Sequence, residues 1–202
     1  MRISTLTTTL ALLCAFAAGS ASAEGFTGTL GYENVNPSGN NGAINGINND
    51  ADSDWGITGS LGYDFGNHWS ADVWSGLSKY QHTISQGGTD IAQVKERPMA
   101  VTANYHFMPG AKFNPYVGVG YGWVNVSDEK GVGPLAANTV KADNDSGLSY
   151  VIGADVPLND NVFVRGSARH LDANSDVTID GAAAGNVKLD PWVYGLSVGF
   201  KF

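Results

Sequence analysis

Asp72, Asp155, Arg165 and Arg169 are charged side chains set inside stretches that are otherwise apolar at every second position. Carboxylates and guanidinium groups held close together can move protons or neutralise one another. Buried charges need partners, so structural pairing is the better reading of these four. Other candidates for chemistry are weaker. In "HTIS", His82 to Ser85, a base and a hydroxyl lie near each other, but no third group is there to orient the base and no nucleophile elbow surrounds the serine. Asp50, Asp52 and Asp54 have calcium-like spacing. Trp55 nevertheless stands where an EF-hand loop needs glycine, and Leu61 where it needs glutamate. The four histidines, at 68, 82, 106 and 170, lack metal-ligand spacing. "GVGYG" has neither the G-x-G-x-x-G spacing nor a following helix, so no nucleotide site follows. No catalytic residue, metal or cofactor emerges, and the chain reads as a non-enzyme.

The elements around the charges are strands. Twenty-seven glycines with frequent Thr, Val and Tyr argue against long helices. Eight segments alternate with period 2. They begin at Gly25, Asp54, Trp69, about Val94, Pro115, Gly147, Val162 and Asp190. In the second, Trp55, Ile57, Leu61 and Tyr63 oppose Asp54, Thr58, Ser60 and Asp64. In the fifth, Val117, Val119, Tyr121 and Trp123 oppose three glycines. Short links such as "GNH" and "NDN" alternate with long polar ones at 36–53, 79–93, 127–145 and 174–186. Eight strands of about ten residues, with short turns at one end and long loops at the other, are the pattern of a small outer-membrane barrel. A soluble ligand-binding barrel would turn its apolar face inward. The aromatic residues at strand ends (Trp55, Phe65, Trp69, Tyr105, Phe107, Trp123, Trp192, Phe202) fit membrane girdles better.

The first 23 residues carry Arg2, an apolar run from Leu10 to Ala18 and the small-x-small signal Ala21-Ser22-Ala23, which predicts a signal peptide over 1–23 and a barrel domain over 24–202. Without that leader, ten basic and nineteen acidic side chains leave a charge of −9, which argues against a nucleic-acid partner. The one cysteine, Cys14, lies in the leader. Only helices and closed barrels satisfy every backbone polar group in lipid, and no stretch here is long enough for a spanning helix. The expected fold is therefore all-β: an eight-stranded antiparallel up-and-down transmembrane β-barrel.

"KFNPYVGVGYGW" (112–123) and "LDPWVYGLSVGFKF" (189–202), with "DSDWGITGSLGYDFGNHWSADV" and "GLSYVIGADVPLNDNVFVRGSARHLD", resemble the outer membrane protein W (OmpW) family of Gram-negative bacteria. The resemblance covers essentially the whole chain after the leader. It implies an outer-membrane location and a barrel with a narrow, partly hydrophobic interior. It also implies passage of small hydrophobic molecules, with lateral exit through the wall. Inward bulky groups on the third and seventh strands narrow the channel in that family. Trp74 matches the first position, whereas Arg169 stands at the second, against a purely apolar constriction. "VKERPMA" is more charged than the family's usual start to the fourth strand. Tyr194, Leu196, Val198, Phe200 and the terminal Phe202 resemble the C-terminal signal read by the barrel-assembly machinery.

The lumen is expected to be set by Trp74, Phe163, Arg165, Arg169, Asp72 and Asp155. Inward glycines at 56, 62, 118, 120, 122, 153, 195 and 199 either leave space or accommodate bulky neighbours across the lumen. The long loops would form an extracellular funnel with Leu135, Val140 and Val177 in its apolar lining. The expected partners are outer-membrane lipid, lipopolysaccharide and small hydrophobic solutes. The alternative is a non-transporting structural or interaction barrel whose loops bind lipopolysaccharide, a host surface or phage.

Overall fold

The computed structural model describes residues 25–37 and 41–202, so the leader expected at 1–23 lies outside the described residues. The strands are β1 Gly25–Pro37, β2 Gly42–Ile44, β3 Ile47–Asn48, β4 Asp50–Ala51, β5 Asp54–Asp64, β6 Trp69–Gly76, β7 Tyr80–Gln86 and β8 Thr89–His106. They continue with β9 Asn114–Gly131, β10 Val140–Ala142, β11 Asp145–Pro157, β12 Val162–Leu171, β13 Asn174–Ile179, β14 Ala182–Lys188 and β15 Pro191–Lys201. A single 3-10 turn, Gly133–Leu135, is the only helical piece among the described residues.

Eight strands close the barrel in the order β8-β6-β5-β1-β15-β12-β11-β9, and β9 pairs back to β8. All of these pairings are antiparallel, and β15 closes on β1 with Thr27 opposite Lys201 and Asn36 opposite Trp192. Closure leaves no unpaired edge to meet lipid. Most large apolar residues of the barrel strands face outward, including Leu30, Ile57, Val73, Val119, Ile152 and Leu196.

Two aromatic belts bound that apolar band. Near the short turns, Phe26 meets Tyr63 edge-on, Tyr63 meets Phe65, and Tyr105 meets both Trp69 and Phe107. Toward the other end, Tyr32 stacks on Trp55, Trp55 meets Tyr194, and Tyr121 meets Trp123. Amphipathic rings at two levels mark the two faces of a bilayer.

Much of the long polar links is strand among the described residues. The stretch expected as a loop over 79–93 is β7 with the start of β8, turned at Gly87 and Gly88, both at positive φ. The stretch over 174–186 is the β13–β14 hairpin, and a second five-stranded sheet, β10-β13-β14-β2-β3, stands at this end. Both β8 and β9 run for 18 residues, roughly 60 Å at ~3.4 Å per residue, about twice the hydrocarbon thickness. Barrel wall thus continues past the upper aromatic belt.

The wall is interrupted between β6 and β7. β8 leaves β6 at Met99 opposite Ser75 and takes up β7 at Glu96 opposite Tyr80, so no ladder pair on that side includes Arg97 or Pro98. Proline has no N–H to lose there. Residues 77–79 bridge the break, with the Leu77 N–H donating to the Ile57 carbonyl at 2.8 Å.

Candidate functional site

The lumen is stratified. At the short-turn end, a polar cavity of about 410 Å³ is lined by Asp64, Ser70, His106, Asn114, Asp155 and Arg165, among others. Arg165 and Asp155 are opposed in the β11–β12 ladder. Two parallel hydrogen bonds join them, Nε to Oδ1 at 2.7 Å and Nη2 to Oδ2 at 2.8 Å. The same guanidinium lies 4.8 Å from the Tyr116 ring centre and 5.3 Å from that of Phe163. Such fork-to-fork pairing is the strongest neutralisation a buried arginine can find.

One layer up, Arg169 lies 3.5 Å from Asp72, donates to Ser149 Oγ at 3.2 Å and sits 5.0 Å from the Trp74 ring centre. Asp72 also accepts from Thr102 at 3.0 Å and from Asn104. Glu33 is buried beside this group and accepts from Ser167 at 3.5 Å. Trp74 then packs with Val35, Tyr80, Ala100, Leu171 and Val193. The fold therefore brings together Trp74, Arg169 and Asp72 in one layer, and Arg165, Asp155 and Phe163 in the next.

The inward glycines are not voids. A Cβ at Gly199 would land in the Phe163 ring, one at Gly153 would meet the Tyr116 hydroxyl, and one at Gly122 would meet Leu171. At these three positions the room is filled by bulky neighbours, whereas at Gly62, Gly120 and Gly195 it is filled first by backbone. Glu33, Tyr116, Thr102 and Asn104 were not among the expected lumen residues. Their strand parity alone, matching the inward positions on their strands, would have found them.

Above Trp74 the interior turns apolar. Ile44, Ile84, Ile91, Val94, Val124, Val140, Val177 and Leu189 form one buried cluster, with Leu135 packed against it. Leu135, Val140 and Val177 thus meet in this packed apolar cluster, with Leu135 at its edge where it lines a pocket together with Ile44 and Ile91. Between this cluster and Tyr80, His82 and Glu96 are both fully buried, with Nε2 and Oε1 3.4 Å apart. That distance is long for a hydrogen bond, and the contact is an ion pair when the imidazole is protonated. His82 Nδ1 donates to the Asp52 carbonyl at 2.6 Å. Ser85 lies on the opposite face of β7, so "HTIS" places its histidine and serine apart. Asp52 and Asp54 accept from the Thr83 and Gln81 backbone N–H groups. Among the described residues, no group of three or more His, Cys, Asp or Glu could hold a metal ion.

Family comparison matches residues 26–202 to the OmpW family. The chain belongs to the OmpW family. It is 30% identical over 156 residues to outer membrane protein W of Vibrio cholerae, covering 71% of each chain. It is likewise 30% identical over 135 residues to outer membrane protein W of Escherichia coli K12, covering 61% of this chain and 62% of that one. The fold is similar to the crystal structure of OprG from Pseudomonas aeruginosa, with a TM-score of 0.77, 23% identity and coverage of 91% and 98%. It is also similar to the solid-state NMR structure of AlkL in lipid bilayers, with a TM-score of 0.65, 18% identity and coverage of 93% and 95%. This OmpW-family chain is an outer-membrane β-barrel embedded in outer-membrane lipid. Fold and family are those of outer-membrane barrels, not of enzymes. By the usual orientation of such barrels, the short turns are periplasmic and the paired hairpins extracellular.

Proposed function

We propose that this OmpW-family barrel is a narrow passive route for small hydrophobic molecules, taken up from outside and released sideways into the membrane. One observation carries the reading: an apolar interior at the extracellular end is closed below by Trp74 and the Arg169–Asp72 pair, level with the break between β6 and β7. An apolar solute displacing side chains in that cluster keeps nonpolar surroundings while it passes the polar outer layer. Continuing to the periplasm would take it through paired buried charges. The wall break offers the shorter way to hydrocarbon. Tyr80 stands at that break, its ring filling the space beside Gly56 and Gly76.

The filled lower lumen favours a second reading. In it, the barrel is a structural or interaction protein whose extracellular hairpins bind lipopolysaccharide, a host surface or phage. Uptake of a hydrophobic dye into proteoliposomes, with wild type and with Trp74→Ala, separates the two. Transport predicts uptake above that of empty vesicles for the wild type. Uptake equal to that of empty vesicles removes the transport reading and leaves the interaction barrel. Recognition of the terminal segment from Tyr194 to Phe202 by the barrel-assembly machinery belongs to the same proposal. Its outward apolar stripe supports it, and failure of Phe202→Ala to slow assembly would count against it.

A further inference from the structure

The outer face of the β7–β8–β9 wall carries a cluster of cations immediately above the upper aromatic belt. Met99, opposite Trp123, is the last apolar outward position of β8. The next outward positions going up are Arg97, opposite Asn125, and Lys95, opposite Ser127 and Gln81. At ~3.4 Å per residue, Arg97 stands roughly 7 Å beyond Met99 along the strand and Lys95 about 14 Å, less in height because barrel strands tilt. The polar layer of a bilayer leaflet is about 5–8 Å thick, so Arg97 is level with lipid headgroups.

Lys79 and Lys95 flank Asp128, at 2.8 and 3.8 Å, and all three are well exposed. Asp128 neutralises one of the three cations. Arg97 has no such partner: it lies at the wall break, half-buried, and its Nε is buried without any hydrogen-bond acceptor. One net positive charge from the two lysines and the charge of the Arg97 guanidinium, two in all, therefore face outward at headgroup height. On the opposite wall, the position above Trp192 and its stacked neighbour His170 is taken by the exposed Asp172. The basic site is confined to one side of a chain whose overall charge is negative.

We propose that Arg97, with Lys95 and Lys79, seats the phosphate of a phosphorylated glycolipid headgroup in the outer leaflet. The guanidinium fork offers the bidentate geometry that phosphate oxygens accept, and the two ammonium groups add charge above it. Met99, Val101, Tyr121 and Trp123 lie directly below, where the acyl chains of the same lipid would run. The site does not depend on whether solutes pass through the barrel.

The test uses the folded full barrel in detergent, titrated with bisphosphorylated lipid A and read by native mass spectrometry. Each surface cation near a membrane is worth about fivefold in binding, so Arg97→Gln with Lys95→Gln should weaken binding by roughly 25-fold. Lys112→Gln, in a short turn at the other end, should bind like the wild type. Dephosphorylated lipid A should bind wild type and double variant alike. Equal lipid A affinity in wild type and double variant would overturn the proposal. So would undiminished binding of the dephosphorylated lipid, or competition by millimolar inorganic phosphate, which would mark a free-anion site. The Arg97 Nε–H NMR signal of the wild type gives a second readout that does not depend on the variants' folding. It should shift with bisphosphorylated lipid A and not with the dephosphorylated form, and a signal that stays fixed with both excludes the seat.

Discussion

Arg165 and Asp155 face each other across adjacent strands at the periplasmic mouth, joined by two hydrogen bonds of 2.7 and 2.8 Å. Neither charge is stable there alone. Asp155→Asn leaves a mostly buried guanidinium without its counter-charge and is expected to destabilise the barrel by about 3 kcal/mol. Replacing the pair together, Arg165→Met with Asp155→Leu, should cost much less than the single change. Urea unfolding in lipid vesicles, followed by tryptophan fluorescence, measures both. A single variant as stable as the wild type would show that the pair is not needed.

Gly199 and Phe163 are opposed on β15 and β12, and the phenylalanine ring occupies the space a Cβ would take. Gly199→Ala should therefore destabilise by about 1–3 kcal/mol, the usual cost of overpacking. Phe163→Leu should recover most of that loss in the double variant. By contrast, Gly120 faces the Val101 carbonyl, a backbone atom, so no side-chain change nearby should rescue Gly120→Ala. Folded fractions from heat-modifiable gel mobility distinguish the two cases.

Tyr80 closes the wall break from within. If solutes leave there, Tyr80→Ala should raise dye uptake into proteoliposomes several-fold, whereas Tyr80→Phe, which keeps the ring, should not. Equal uptake by wild type and Tyr80→Ala would place the exit elsewhere.

His82 and Glu96 lie above the upper aromatic belt, outside the membrane-spanning band. Burial opposes a charge on His82. The buried Glu96 carboxylate and the Asp52 carbonyl nevertheless outweigh it and hold the imidazole above its ordinary range. A raised folded-state value means the stabilisation is full below about pH 6.5, the unfolded value, and is lost as pH rises through the folded one. Amide hydrogen exchange in β7 and β8, corrected for intrinsic rates, should show more protection at pH 6 than at pH 9. In His82→Gln with Glu96→Gln that pH dependence should be flat.

The barrel was legible in the sequence because lipid imposes a strict rule: every outward residue from Trp55 to Tyr63, or from Val117 to Trp123, is apolar, aromatic or small. The pairing of Asp72, Asp155, Arg165 and Arg169 followed from the same parity, as two cations and two carboxylates on inward positions need partners inside the barrel. The extracellular hairpins were missed because their pattern is inverted. On β8, outward positions run Val101, Ala103 and Tyr105 in the membrane but Gln93, Lys95 and Arg97 above it, while inward ones change from Thr102 and Asn104 to Ala92 and Val94. From Ala92 to His106 the strand does not change phase. The solvent does, and a polarity scan over 79–93 therefore reads as a loop.

Pro98 marks where that inversion occurs. Below it, an inward position of β8 accepts hydroxyls and amides, and an outward one rejects them. Above it, apart from the buried Glu96 that meets His82, each face takes on the other's rule. Sequence variation among relatives of this chain should therefore change sides at this point. Substitutions that drift freely on one half of the strand would be purged on the other.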